Sequence, residues 1–216
     1  MLRKGGLIRV FTTQERLVHW LHTGAFAVLM LTGLFMYFSE LQPFVVGDAG
    51  ALSRLLHRLG ALVMGAVPLL YLILDYRTFF ANARRLLTWG KADLEWLKAA
   101  PRYYFVGDEK AMPPQPKFNT GQKLFYVLVA VGYPVFGFTG LLMWGGRGTI
   151  DPQFFLLLVL IHDLMAIAWV AFFLVHLALA TMHPFMKGAL DGMLFGWMPE
   201  KYVKHHHATY YDELTK

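Results

Sequence analysis

The chain has 216 residues, 56% of them hydrophobic and only 16% charged, with a formal net charge of +6. So much apolar surface excludes an ordinary soluble domain, and the absence of cysteine excludes disulfides, protein-ligated iron–sulfur clusters and covalent c-type haem. The basic residues cluster beside apolar runs, which points to a membrane protein and gives no nucleic-acid footprint.

In chain order, the arm "MLRKGGLIRVFTTQER" has no apolar core ahead of a small-residue cleavage site, so no cleaved signal peptide is expected. A first membrane span is predicted at 17–38, carrying His19 and His22. A second at 55–80 opens on "LLHRLGA", with His57 near its start and Pro68 inside. The loop at 81–121 holds Trp89, Leu94, Trp96 and Leu97 on a short amphipathic helix at the membrane interface, and "MPPQPKFNTG" is an irregular approach to the next span. The third span, 122–144, contains Pro134 and the small residues Gly132, Gly137 and Gly140, which let a helix or a flat cofactor approach closely. The fourth, 153–182, contains His162 and His176, and residues 183–216 form a tail. At ~1.5 Å per residue each span is long enough to cross, and prolines inside spans are tolerated where neighbours re-satisfy the backbone. The predicted fold is an all-α membrane protein, a four-helix bundle forming one integral domain over 1–216.

Charged loops set the orientation. Arg3, Lys4, Arg9 and Arg16 precede the first span; the 81–121 loop carries Arg84, Arg85, Lys91, Lys98, Arg102, Lys110 and Lys117; and the tail adds Lys187, Lys201 and Lys204. The first–second and third–fourth loops offer only Arg54 and Arg147. The positive-inside rule therefore places both termini and the middle loop in the cytoplasm.

That topology sorts four histidines into two levels. His57 and His162 lie toward the outer face; His19 and His176 lie toward the cytoplasm. His162 and His176 are fourteen residues apart, ~21 Å along a helix and close to four turns, so they share a face. Two facing imidazoles at each level suit two b-type haems with bis-histidine ligation. Zinc or copper would need a third or fourth ligand at one level, and a proton relay would need acids strung across the membrane, whereas Asp75 and Asp163 sit near helix ends. Structural histidines are the bland alternative. His22 and His183 are read as structural or haem-propionate contacts, and His205, His206 and His207 as a solvated or subunit-facing surface.

The segments "TTQERLVHWLHTGAFAVLMLTGL", "LLHRLGA", "FNTGQKLFY" and "FTGLLMW", with His162 and His176, resemble the gamma subunit of membrane-bound respiratory formate dehydrogenases, over nearly the whole chain. "ERLVHW" is shared more widely, by di-haem cytochromes b of hydrogenases and thiosulfate reductases. The resemblance implies axial pairs His57/His162 and His19/His176, and a cytoplasmic-side pocket for menaquinone or ubiquinone in which Asn119 and Gly121 hydrogen-bond the quinone beside His176. It further implies an iron–sulfur partner, a molybdenum or tungsten catalytic subunit, assembly as trimers of that unit, and no formate chemistry in this chain. On the residues alone, Asn119-Thr120-Gly121 is a helix cap. The alternatives are the cytochrome of another periplasmic oxidoreductase and, from a different class, a histidine-relay transporter, against which the missing midplane acids argue.

Overall fold

The computed structural model describes residues 3–215. Four helices in it are long and apolar enough to cross a membrane. Helix α1 spans Thr13–Tyr37 and α2 Gly47–Leu87. The short α3 covers Lys91–Pro101 in the middle loop, α4 is Thr120–Gly145 and α5 Pro152–Thr181. All four predicted spans are present. The second is longer than expected: 41 residues, about 60 Å if straight, twice a bilayer core. The backbone breaks it at Asp75 (φ −158°, ψ 71°), whereas Pro68 and Pro134 lie within continuous helix.

Local chemistry starts these helices. Asp151 Oδ1 accepts the N–H groups of Gln153 and Phe154 at 3.0 Å each, with Pro152 in the first turn of α5. The carboxylate of Asp93 reaches back to the Gly90 N–H at 2.9 Å and opens α3. A short helix is present where one was expected, but Trp89 lies before its start; Asp93 and Trp96, one turn apart, are buried, while Leu94 and Leu97 are exposed.

The chain forms two compact units. One comprises Thr13–Tyr76 and Tyr133–Ala171; the other comprises Met1–Thr12, Arg77–Gly132 and Phe172–Lys216. The second unit contains something the all-helical expectation lacked, a small antiparallel sheet in the order β1 (Arg3–Lys4), β2 (Leu7–Arg9), β3 (Trp197–Pro199). Gly5 and Gly6, both at positive φ, make the tight turn between β1 and β2. The tail continues through α6 (Lys187–Phe195), α7 (Glu200–His206) and α8 (Ala208–Thr215). Ile8, Val10, Phe11, Met198, Val203 and Tyr210 close over one another as its core. Lys117 donates to Asn82 Oδ1 at 3.3 Å and lies 5.1 Å from the centre of the Phe11 ring. The tail is thus folded onto the N-terminal arm and the middle loop.

Candidate haem-binding site

In the first unit, α2 and α5 bring His57 and His162 together, with ring centroids 6.4 Å apart and ring planes at 48°. Each ring is held from behind by a threonine. Thr32 Oγ1 lies 2.8 Å from His57 Nδ1 and donates its own proton to the Val28 carbonyl at 2.7 Å. Thr139 Oγ1 lies 2.8 Å from His162 Nδ1 and donates to the Val135 carbonyl at 2.7 Å. Because each hydroxyl proton is already used, each oxygen faces its imidazole as an acceptor. Nδ1 therefore carries the ring proton, and the lone pair sits on Nε2, which makes no hydrogen bond among the described residues.

This is the arrangement metal-ligating histidines need: one nitrogen anchored, the other deprotonated and available. The spacing fits as well. Two metal–imidazole bonds of about 2.0 Å plus two ring radii of roughly 1.1 Å put the centroids about 6.2 Å apart. Both rings are half-buried, and each meets a glycine: a Cβ added at Gly33 would lie 3.9 Å from His57 Cε1, and one at Gly140 3.8 Å from His162 Cε1. No cluster of three or more His, Cys, Asp or Glu able to hold a metal occurs among the described residues.

Sequence reading missed Thr32 and Thr139, although a signal for them is present. "TGLFMY" (32–37) and "TGLLMW" (139–144) repeat one motif on α1 and α4. In each copy the threonine binds the Nδ1 of a histidine and the next residue, glycine, faces that same imidazole.

A model of the family described as prokaryotic cytochrome b561 matches residues 10–196. The chain belongs to that family. It is a membrane-spanning cytochrome b of the electron-transfer type, a family that implies bound haem b. Among similar curated proteins, the formate dehydrogenase cytochrome b556 subunit of Haemophilus influenzae is 25% identical over 206 residues, covering 93% of this chain and 81% of that protein. The formate dehydrogenase cytochrome b556(fdo) subunit of Escherichia coli is 24% identical over 221 residues, covering 100% and 97%. The nitrate-inducible cytochrome b556(Fdn) subunit of the same species is 24% identical over 206 residues, covering 94% and 89%.

The remaining site residues divide between the units. His19 lies on α1 in the first, half-buried, with Trp20 edge-on at 5.0 Å. There His22 Nδ1 pairs with the Tyr133 hydroxyl at 3.0 Å, beside Trp169. His176 is in the second unit, its ring 5.5 Å from that of Phe125.

In the second unit Asn119 is the cap that the residues alone suggested. Its Oδ1 accepts the Gln122 N–H and Gln122 Oε1 accepts the Asn119 N–H, both at 2.9 Å, a reciprocal box that starts α4. The cap consumes only the carbonyl end of the amide; Nδ2 makes no hydrogen bond among the described residues and remains a donor. Gly121 has no room for a side chain, since a Cβ would lie 3.0 Å from Trp96 Cη2. A small cavity beside it is lined by Asp93, Trp96, Pro114, Gln115, Asn119 and Lys123. Its floor is a saturated ion pair: Lys123 Nζ donates to both Asp93 oxygens at 2.8 and 3.0 Å and to the Thr88 carbonyl at 2.8 Å, and Thr120 donates to Asp93 at 2.9 Å. Burial pushes the Asp93 carboxyl up, but Lys123, the Gly90 N–H and Thr120 outweigh it and hold the group below its ordinary value.

The three tail histidines do not form one solvated surface. Only His205 is exposed; His206 is half-buried, and His207 is buried with Nδ1 donating to the Pro116 carbonyl at 2.9 Å. Packing of the tail against the middle loop, invisible in a run of three identical residues, separates them.

Proposed function

We propose that this chain is the di-haem cytochrome b subunit of a membrane-bound formate dehydrogenase complex, anchored in the bacterial inner membrane with both termini cytoplasmic. It carries electrons from an iron–sulfur partner, itself fed by a molybdenum or tungsten catalytic subunit, across the membrane to a quinone, in assemblies that can be trimers of heterotrimers. The observation that carries the reading is the pair of threonine-anchored imidazoles, whose ring centroids, 6.4 Å apart, are spaced as bis-histidine ligation requires. His57 and His162 would hold one haem and His19 and His176 a second. Support for the second pair is the fourteen-residue spacing of His162 and His176, close to four helical turns. The haems, when bound, supply the one-electron chemistry; the chain contributes ligands, apolar slots and orientation. For the complex-level reading, support comes from similarity over the full chain to subunits named for formate dehydrogenase.

The quinone, menaquinone or ubiquinone, belongs at Asn119 and Gly121. There the unused Asn119 amide N–H and the first-turn N–H of Gly121 are donors for a quinone carbonyl, at a helix start where such N–H groups have no intrahelical partner. Asn119→Asp tests this without dismantling the helix, because it keeps the capping oxygen and removes the donor. In the purified complex, formate should still reduce both haems while quinone reduction falls about tenfold, the worth of one lost hydrogen bond to substrate. Unchanged quinone turnover would remove Asn119 from the site, and a complex whose haems formate cannot reduce would overturn the assignment to a formate dehydrogenase.

A further inference from the structure

The four long helices share a spacing of seven residues, about two helical turns. On α5, Trp169 lies seven residues after His162 and seven before His176; on α2, Met64 lies seven after His57. On α1, Phe26 lies seven after His19 and seven before Gly33, and on α4, Tyr133 lies seven before Gly140. Gly33 and Gly140 are the glycines that face the His57 and His162 imidazoles. Each helix thus places one large side chain two turns, ~10.5 Å, from the level of His57 and His162.

In the unit holding His57 and His162 these four side chains meet. The Trp169 ring lies 5.8 Å from Phe26 and 6.0 Å from Tyr133, and the Tyr133 hydroxyl donates to Met64 Sδ at 3.4 Å. Phe26, Met64 and Trp169 are buried, whereas Leu31, Leu62 and Ile167 on the same helices are exposed. Trp169 is only 3% exposed. Phe136 packs edge-on against Trp169 at 5.0 Å and against the His162 imidazole at 4.9 Å. Toward His19, the ring of His22 lies 6.0 Å from that of Trp169.

We propose that Phe26, Met64, Tyr133 and Trp169 form the packed layer through which an electron tunnels between the two haem levels, with Trp169 at its centre. The inference rests on the two-haem reading above. The electron leaves a ferrous haem at the His57–His162 level and reduces a ferric haem at the His19–His176 level. No bond forms or breaks, no proton moves, and no residue of the layer changes its oxidation state. Tunnelling falls off more steeply across empty space than through atoms in van der Waals contact, so the work of the layer is to leave no gap. Phe136 begins the contacts at a ligand ring, Trp169 carries them from α5 to α1 and α4, and the thioether of Met64 joins α2 to them through Tyr133. The layer also keeps the two levels apart. Glycines face the imidazoles where a flat macrocycle must enter, while two turns away every helix contributes a bulky side chain and no such slot is left.

The test uses the full purified complex. A laser flash on a dissolved ruthenium photoreductant places one electron on the oxidised complex, and its redistribution between the haems is followed at the wavelengths that a redox titration assigns to each. Trp169→Ala should keep two haems per chain and both midpoint potentials, while redistribution slows about tenfold, because the void left behind has no atoms in the path. Trp169→Phe keeps a ring in contact and should recover most of the rate. Phe26→Ala removes another part of the layer and should slow redistribution less; it carries the test if Trp169→Ala fails to assemble. Haem content and potentials are read without turnover, and slowing that comes only with their change would overturn the proposal, since that is what a purely structural residue produces. Wild-type redistribution in the alanine variants, or no recovery in Trp169→Phe, would overturn it as well. One haem per wild-type chain would refute the two-haem reading itself; two haems with unaltered redistribution in the variants would refute the layer alone.

Discussion

The two units handle histidine in opposite ways. In the unit holding His57 and His162, each imidazole leans on a neutral hydroxyl whose proton is already committed to a helix carbonyl. Among the described residues nothing charged is hydrogen-bonded to either ring, and Nε2 is left without a hydrogen bond. In the unit holding His205 and His206, the imidazoles touch a carboxylate, each other and a tyrosine, all groups that exchange protons. The same side chain thus leans on an inert acceptor in one unit and joins a line of titratable groups in the other. What distinguishes them is the partner of the second nitrogen.

The largest effect expected from breaking this contrast is on the ligands. His162→Ala should abolish the haem held with His57 and leave the other, halving the b-type haem content per chain in a pyridine haemochrome assay. Retention of full haem content would end the assignment of that pair.

Next comes the ion pair on which the loop unit rests. Asp93→Ala strands a buried Lys123 ammonium and should destabilise the packing of α3 on α4 by about 3–5 kcal/mol, the penalty for removing one partner of a buried pair. Faster proteolysis between residues 81 and 121, with haem content unchanged, would show it. The pH dependence follows from the sign. A carboxyl held below its ordinary value contributes stability that is present above its unfolded pKa of about 3.9 and lost as pH falls through its lower folded value. The loop should therefore resist proteolysis at neutral pH and open only in acid, and the Asp93→Ala variant should lose that acid dependence.

The smallest effect, and the sharpest test of the contrast, is Thr139→Val. It keeps the shape, removes the acceptor and leaves the His162 ring free to turn, so haem affinity at that site should fall about 10–100-fold. Thr139→Ser should restore it. If haem retention in a chelating or competing apoprotein assay matches wild type in the valine variant, the threonine is only a packing residue.

Much of this was legible without coordinates because of how few ways there are to cross a membrane. Runs of about 20 apolar residues in lipid must be helices, which fixed the four spans, and intramembrane imidazoles demand a partner, which singled out His19, His57, His162 and His176. The Asn119 cap was readable from residue type and from Gln122 three positions on. The sheet was not, because its three strands are two or three residues long and pair segments nearly 190 residues apart, although Gly5-Gly6 marked its turn. The break in α2 at Asp75 was equally hidden, since Pro68 and Pro134 are the residues that propensity would blame.

By itself, then, the sequence determined that this is a four-span membrane protein with histidines suited to haem, since hydropathy and helical period act locally along the chain. Tertiary structure alone decided which hydroxyl anchors which ring, that His206 is turned inward while His205 is not, and that Trp96 closes over Gly121. Those outcomes depend on distances between residues remote in sequence, and hydrogen bonding changes within a few tenths of an ångström.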